Sequence, residues 1–112
     1  MRSLKLDEKK VNQLIEEQLA KNSIILYMKG TPSLPQCGFS SQAVFALKSC
    51  GKEFKFINIL ENLDIRAILP KYSNWPTFPQ LYIHGELIGG CDIILEMKDS
   101  GELQEAINNA TN

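Results

Sequence analysis

Cys37 is the residue of this chain best placed to do chemistry. It lies in the run Lys29-Gly30-Thr31-Pro32-Ser33-Leu34-Pro35-Gln36-Cys37-Gly38-Phe39-Ser40. Gly30 and the two prolines make the stretch before it a loop, because proline lacks the donor that a strand or helix interior needs and glycine relaxes the backbone. From Ser41 to Lys48 the residues turn helical. A cysteine just before a helix start faces unpaired N–H groups and the positive end of the helix dipole, and both favour thiolate over thiol. Lys29, if the fold returns it to Cys37, pushes the same way. Such surroundings lower a thiol pKa from about 8.5 into the range of about 3.5 to 7.5. Ser40 occupies the place where a C-x-x-C pair would carry its resolving thiol, and a hydroxyl cannot close a disulfide. Any disulfide made by Cys37 is therefore with another molecule or a distant cysteine.

The other candidates each carry an ordinary structural reading as well. Cys50, at the end of the apolar face of the second helix, reads as packing. Cys91 follows Gly89-Gly90 and precedes Asp92 at a helix start, so it either presents backbone N–H groups to an anion or acts as a resolving thiol. Lys29 and Arg66 singly are solvated surface charges, whereas together they suit a ligand with carboxylates. His84 belongs to a turn and reads as surface. Trp75 serves either as a lid on the core or as a recognition surface.

At 112 residues the chain fits a single domain, 1–112, which would bury about two-thirds of the surface of its unfolded form. Its 12 basic and 13 acidic residues nearly cancel, which argues against a broad electrostatic surface for nucleic acid or an anionic membrane. The first ten residues lack the apolar core of a signal peptide, and the longest apolar run is too short to span a bilayer. A cytoplasmic protein is expected. Cys37, Cys50 and Cys91 are too widely spaced for a zinc pattern or an iron–sulfur ligand run within one chain, and thiol chemistry in a reducing compartment fits better than a structural bridge.

The elements that must position these residues follow from periodicity. Asp7 caps a first helix with Val11, Leu14, Ile15 and Leu19 on one face, ending near Asn22. The residues from Ile24 to Met28 form an apolar central strand covered on both faces, closed by Lys29. The second helix stops near Cys50-Gly51, and a second strand spans 53–59, so that a βαβ unit with parallel strands results. A short helix over 62–69 turns Ile65, Ile68 and Leu69 inward and Arg66 outward, and Pro70 disturbs its end. After the turn-rich segment 73–79, Gln80-Leu81-Tyr82-Ile83 and Glu86-Leu87-Ile88 flank a tight hairpin at His84-Gly85. A helix over 93–98 closes at Gly101, and a last one turns Leu103, Ala106 and Ile107 inward. The order predicts an α/β fold with a four-stranded mixed β-sheet flanked by helices.

At Cys37-Gly38-Phe39-Ser40 the chain resembles the monothiol, CGFS-type glutaredoxins in their single-domain form. Lys29-Gly30-Thr31-Pro32, the extended loop to Pro35, Trp75-Pro76-Thr77-Phe78-Pro79-Gln80 and Gly89-Gly90-Cys91-Asp92 follow in the family's order and spacing. The resemblance implies a thioredoxin-like fold with Pro79 in the cis form, and glutathione in a groove beside Cys37. It implies that Lys29 and Arg66 hold the glycyl carboxylate of glutathione. The Phe78 backbone would pair with the cysteinyl unit like an added strand, and the Cys91 N–H with Asp92 would hold the γ-glutamyl end.

Two functions remain open at this point. One is an iron–sulfur carrier in cluster assembly, cluster transfer and iron homeostasis. A [2Fe–2S] cluster needs four ligands, commonly thiolates, and Cys37 from each of two chains with two glutathiones supplies them. The resemblance implies a cluster-bridged homodimer, BolA-type partners and apo iron–sulfur proteins as recipients. The alternative is a glutathione-dependent thiol–disulfide oxidoreductase that works through Cys37 alone.

Overall fold

The computed structural model describes residues 7–111. The reading of a missing leader core falls partly on residues 1–6, which lie outside the described residues. Asp7 caps α1 (Glu8–Lys21) by accepting the Lys10 N–H. There follow β1 (Ile24–Met28), the short β2 (Gly30–Thr31) and β3 (Leu34–Pro35), α2 (Gly38–Lys48), β4 (Lys55–Asn58) and α3 (Leu63–Ser73). The chain closes with β5 (Gln80–Ile83), β6 (Glu86–Gly89), α4 (Cys91–Ser100) and α5 (Glu102–Ala110).

The four main strands form one sheet in the order β4-β1-β5-β6, with β1 and β4 parallel and the other pairs antiparallel. This is the expected mixed sheet. Successive side chains of a strand point to opposite faces, and β1 supplies both cores. Ile24, Leu26 and Met28 pack with α2, α4 and α5, while Ile25 and Tyr27 pack with α1 and α3. That double burial explains why β1 shows no alternation in sequence.

Register gathers the ends that matter. Met28 pairs with Asn58, Tyr27 with Gln80, and Leu81 with Gly89. The exit of β1, the exit of β4, the entry to β5 and the exit of β6 therefore share one end of the sheet. The starts of α2, α3 and α4 open from this end.

Several boundaries differ from expectation. The loop before Cys37 contains a small ribbon in which Gly30 pairs with Pro35 and Thr31 with Leu34. Helix α2 begins at Gly38 and α4 at Cys91, both ahead of their apolar periodicity, and β4 is shorter than 53–59. Leu14, expected on the inner face of α1, is 38% exposed, because one apolar stripe of three residues already fills the α1 contact. The largest correction concerns Pro70. Helix α3 passes through it and ends at Ser73. A proline inside a helix costs about 3 kcal/mol, but the turn beyond it is closed by hydrogen bonds: the Ser73 hydroxyl donates to the Leu69 carbonyl at 2.9 Å and the Trp75 N–H to the Pro70 carbonyl at 3.1 Å. Asn74, in the left-handed conformation, caps the end.

At the β5–β6 turn, His84 and Gly85 both have positive φ, 51° and 78°, as a type I′ hairpin requires. His84 is exposed, as expected of a turn residue. The Phe78–Pro79 bond is cis.

Candidate functional site

Cys37 is the N-cap of α2 and its backbone is extended, with φ −154° and ψ 156°. That conformation turns Sγ over the first turn of the helix, where the Ser40 N–H donates to it at 3.3 Å. Ser40 Oγ stands 3.4 Å from Sγ. Burial pushes the Cys37 thiol up, but hydrogen bonds from the Ser40 hydroxyl and from the Ser40 and Phe39 N–H groups outweigh it, and the Lys29 ammonium adds to them. The net effect holds the thiol below its ordinary range, so the thiolate is favoured.

Ser40 does more than replace a second cysteine. It is fully buried, and its Oγ accepts the Lys29 N–H at 3.0 Å. The end of β1 is thereby tied to the start of α2. Asn58 makes a second tie: its Oδ1 accepts the Gly30 N–H at 2.9 Å and the Leu60 N–H at 3.0 Å, fixing the base of the loop against the exit of β4.

Beside the cysteine runs an open groove of about 720 Å³. Lys29, Arg66, Phe78, Cys91 and Asp92 all line it, so four separate stretches of the sequence meet on one surface. Phe39, 62% exposed, continues that wall next to Cys37. Cys37 itself stands at the margin of the groove, joined to it through Ser40 and Lys29. The segment from Trp75 to Pro79 forms a further wall. Trp75 Nε1 is buried there without an acceptor among the described residues. Gly90 packs so tightly that a Cβ would stand 3.2 Å from the Pro79 carbonyl oxygen and 3.4 Å from Trp75 Nε1.

The three cysteines are free thiols. Cys91 is buried, and burial pushes its thiol up, with the Asp92 carboxylate and Cys37 adding to the effect. Its position at the first residue of α4 leaves its N–H free of the helix ladder, which favours the backbone reading over the nucleophilic one. Burial likewise raises the Cys50 thiol, against smaller opposing effects of Ser49 and Lys98, and Cys50 packs in the core.

The sequence by itself does not point to three residues of the site. There Ser40 reads only as a missing thiol, Phe39 carries no separate signal, and Gln80 reads as ordinary strand. For Gln80 a signal existed, since an amide opens an otherwise apolar central strand. Nothing in the spacing told which carbonyls it would meet.

Residues 24–88, more than half of the chain, match the family model described as Glutaredoxin. The chain is 63% identical over 100 residues to Glutaredoxin 4 of Buchnera aphidicola subsp. Schizaphis graminum, covering 89% of this chain and 94% of that protein. To Glutaredoxin 4 of Escherichia coli K12 it is 63% identical over 93 residues, covering 83% and 81% respectively. The solution structure of reduced poplar apo GrxS14 superposes with a TM-score of 0.77 at 48% identity, over 90% of this chain and 93% of that one. With a single favoured thiolate capping α2, a serine three residues on, and these relatives, the chain belongs to the glutaredoxin family, in its monothiol CGFS form.

Proposed function

We propose that this glutaredoxin binds glutathione in the groove beside Cys37 and, with it, holds a [2Fe–2S] cluster between two copies of the chain. Its role is then cluster assembly, transfer to apo iron–sulfur proteins, and iron homeostasis, with a BolA-type protein as a further partner. The residues fit the ligand. Lys29 and Arg66 offer charge to a carboxylate, the Cys91 N–H at the start of α4 suits a second, and Asp92 suits an ammonium. The Phe78 backbone is free to pair with an extended peptide, and the unused Trp75 Nε1–H suits an acceptor-rich ligand.

The observation that carries the reading is the pairing of a favoured Cys37 thiolate with Ser40 rather than a second thiol at its side. A soft thiolate ligates iron–sulfur clusters, and four such ligands complete a [2Fe–2S] site. One chain supplies one. Two chains with two glutathiones supply four, and the non-protein ligands make the cluster transferable. The three free thiols and the lack, among the described residues, of a helix long and apolar enough to cross a membrane agree with a cytoplasmic setting.

Anaerobic reconstitution with iron, sulfide and glutathione tests this. A coloured dimer with visible charge-transfer absorption is expected, abolished by Cys37→Ser. A colourless monomer that rapidly deglutathionylates a model disulfide would reject the carrier role.

That outcome belongs to the second reading, which the lowered Cys37 pKa also favours. Cys37 would attack the glutathione sulfur of a glutathionylated protein, forming a Cys37–glutathione disulfide and releasing the protein thiolate. A second glutathione thiolate would then free Cys37 and leave as glutathione disulfide. Ser40 is compatible with this one-cysteine route.

A further inference from the structure

We propose that Gln80 is a positioning residue that holds the Trp75–Thr77 wall of the groove in its ligand-ready shape. Gln80 has no solvent exposure, and all of its side-chain hydrogen-bonding groups are used. Nε2 donates to the Trp75 carbonyl at 2.9 Å and to the Thr77 carbonyl at 3.2 Å. Oε1 accepts the Tyr82 O–H at 2.9 Å. The Tyr82 hydroxyl and the two carbonyls together fix which way the amide points, since the reversed amide would set Oε1 against two carbonyl oxygens.

The strut is anchored deep in the molecule. The main chain of Gln80 pairs with Tyr27 in the central strand, and the buried Tyr82 ring packs edge-on against Tyr27 at 5.6 Å. The segment it holds has little else. From Trp75 to Pro79 the remaining hydrogen bond among the described residues is the Trp75 N–H to the Pro70 carbonyl at 3.1 Å. A buried amide is retained at a penalty unless every bond is made, and here the two Nε2 bonds draw the Trp75 and Thr77 carbonyls inward. Trp75, Pro76 and Phe78 are thereby left on the groove. Cys37 lies outside this network, tied instead to Ser40 and Lys29. Gln80 therefore governs ligand fit separately from thiolate formation.

The inference rests on the reading of the groove as a glutathione site, so the test carries one arm that does not. In Gln80→Met the length is kept and all three bonds are lost; Tyr82→Phe removes only the hydroxyl that orients the amide and serves if the first variant fails to fold. Glutathione affinity by calorimetry is expected to fall about tenfold in Gln80→Met and less in Tyr82→Phe. Emission of Trp75, the one tryptophan of the chain, is expected to shift and to become more open to quenching. The pH profile of Cys37 alkylation should stay as in the parent. Unchanged affinity and emission would overturn the proposal. So would a parallel shift of the Cys37 profile, which signals general collapse of the site. If the parent protein binds no glutathione, the groove reading fails by itself, and Trp75 emission and quenching alone decide the strut: a change supports it, no change overturns it.

Discussion

Ser40 Oγ stands 3.4 Å from Cys37 Sγ while accepting the Lys29 N–H at 3.0 Å. Because that N–H occupies the oxygen as acceptor, the hydroxyl proton is free to be donated to a thiolate at Sγ. The serine thus couples the end of the central strand to the charge on the cysteine.

Ser40→Ala should accordingly raise the Cys37 pKa and move the midpoint of its alkylation profile to higher pH. It also strands the Lys29 N–H, for a stability loss of about 1 to 3 kcal/mol in denaturant unfolding. An unmoved midpoint would show that the hydroxyl does not serve the thiolate.

The three thiols should react in a set order. Cys37 lies below the ordinary thiol range, so at any given pH under that range its thiolate fraction exceeds that of a free cysteine. Burial, then Asp92 and Cys37, push Cys91 the other way, and burial raises Cys50. Alkylation followed by peptide mass mapping should label Cys37 first near neutral pH, with the other two labelled later and only as pH rises. Early labelling of Cys91, or a Cys37–Cys91 disulfide after mild oxidation, would restore Cys91 as a resolving thiol.

Lys29→Ala and Arg66→Ala should each weaken glutathione binding, by between about two- and tenfold. The lower figure reflects screening of an exposed charge and the upper one a charge-assisted hydrogen bond. Added salt should reduce the affinity of the parent and reduce it less in the double variant. Equal affinity in all forms would remove the two cations from the site.

Gly30 and Gly38 flank the same loop and should respond oppositely to alanine. Gly30 has φ of +92°, and a Cβ there would stand 2.6 Å from the Leu34 carbonyl oxygen and 2.7 Å from the Gln36 nitrogen, both backbone atoms. Gly30→Ala should destabilise by at least about 1 to 3 kcal/mol and slow Cys37 alkylation. At Gly38, inside the first turn of α2, a Cβ meets nothing within 4 Å, so Gly38→Ala should leave thermal stability equal or higher. Equal stability of the two variants would refute the close-packed loop.

Much of this protein is legible in one dimension because the relevant interactions are local. A capping cysteine ahead of a helix needs only Gly38 to Lys48 to follow it. The unalternating Ile24–Met28 announces burial on both faces, and His84-Gly85 announces its turn. Where other bonds compensate a local rule, local reading fails: Pro70 should end α3, yet the helix runs on to Ser73, closed by the Ser73 hydroxyl on the Leu69 carbonyl and the Trp75 N–H on the Pro70 carbonyl. The wider site was legible only in part, because its members are brought together by register. Tyr27 opposite Gln80 and Leu81 opposite Gly89 set Phe78 and Cys91 on the groove that Lys29 and Arg66 also line. By itself the sequence determined that Cys37 is a lone thiol primed at a helix start, since that follows from neighbours a few residues away. Only the tertiary structure decided what surrounds it. The Lys29 N–H that meets Ser40, the carbonyls met by Gln80 and the burial that silences Cys91 all depend on chain segments that folding alone makes adjacent.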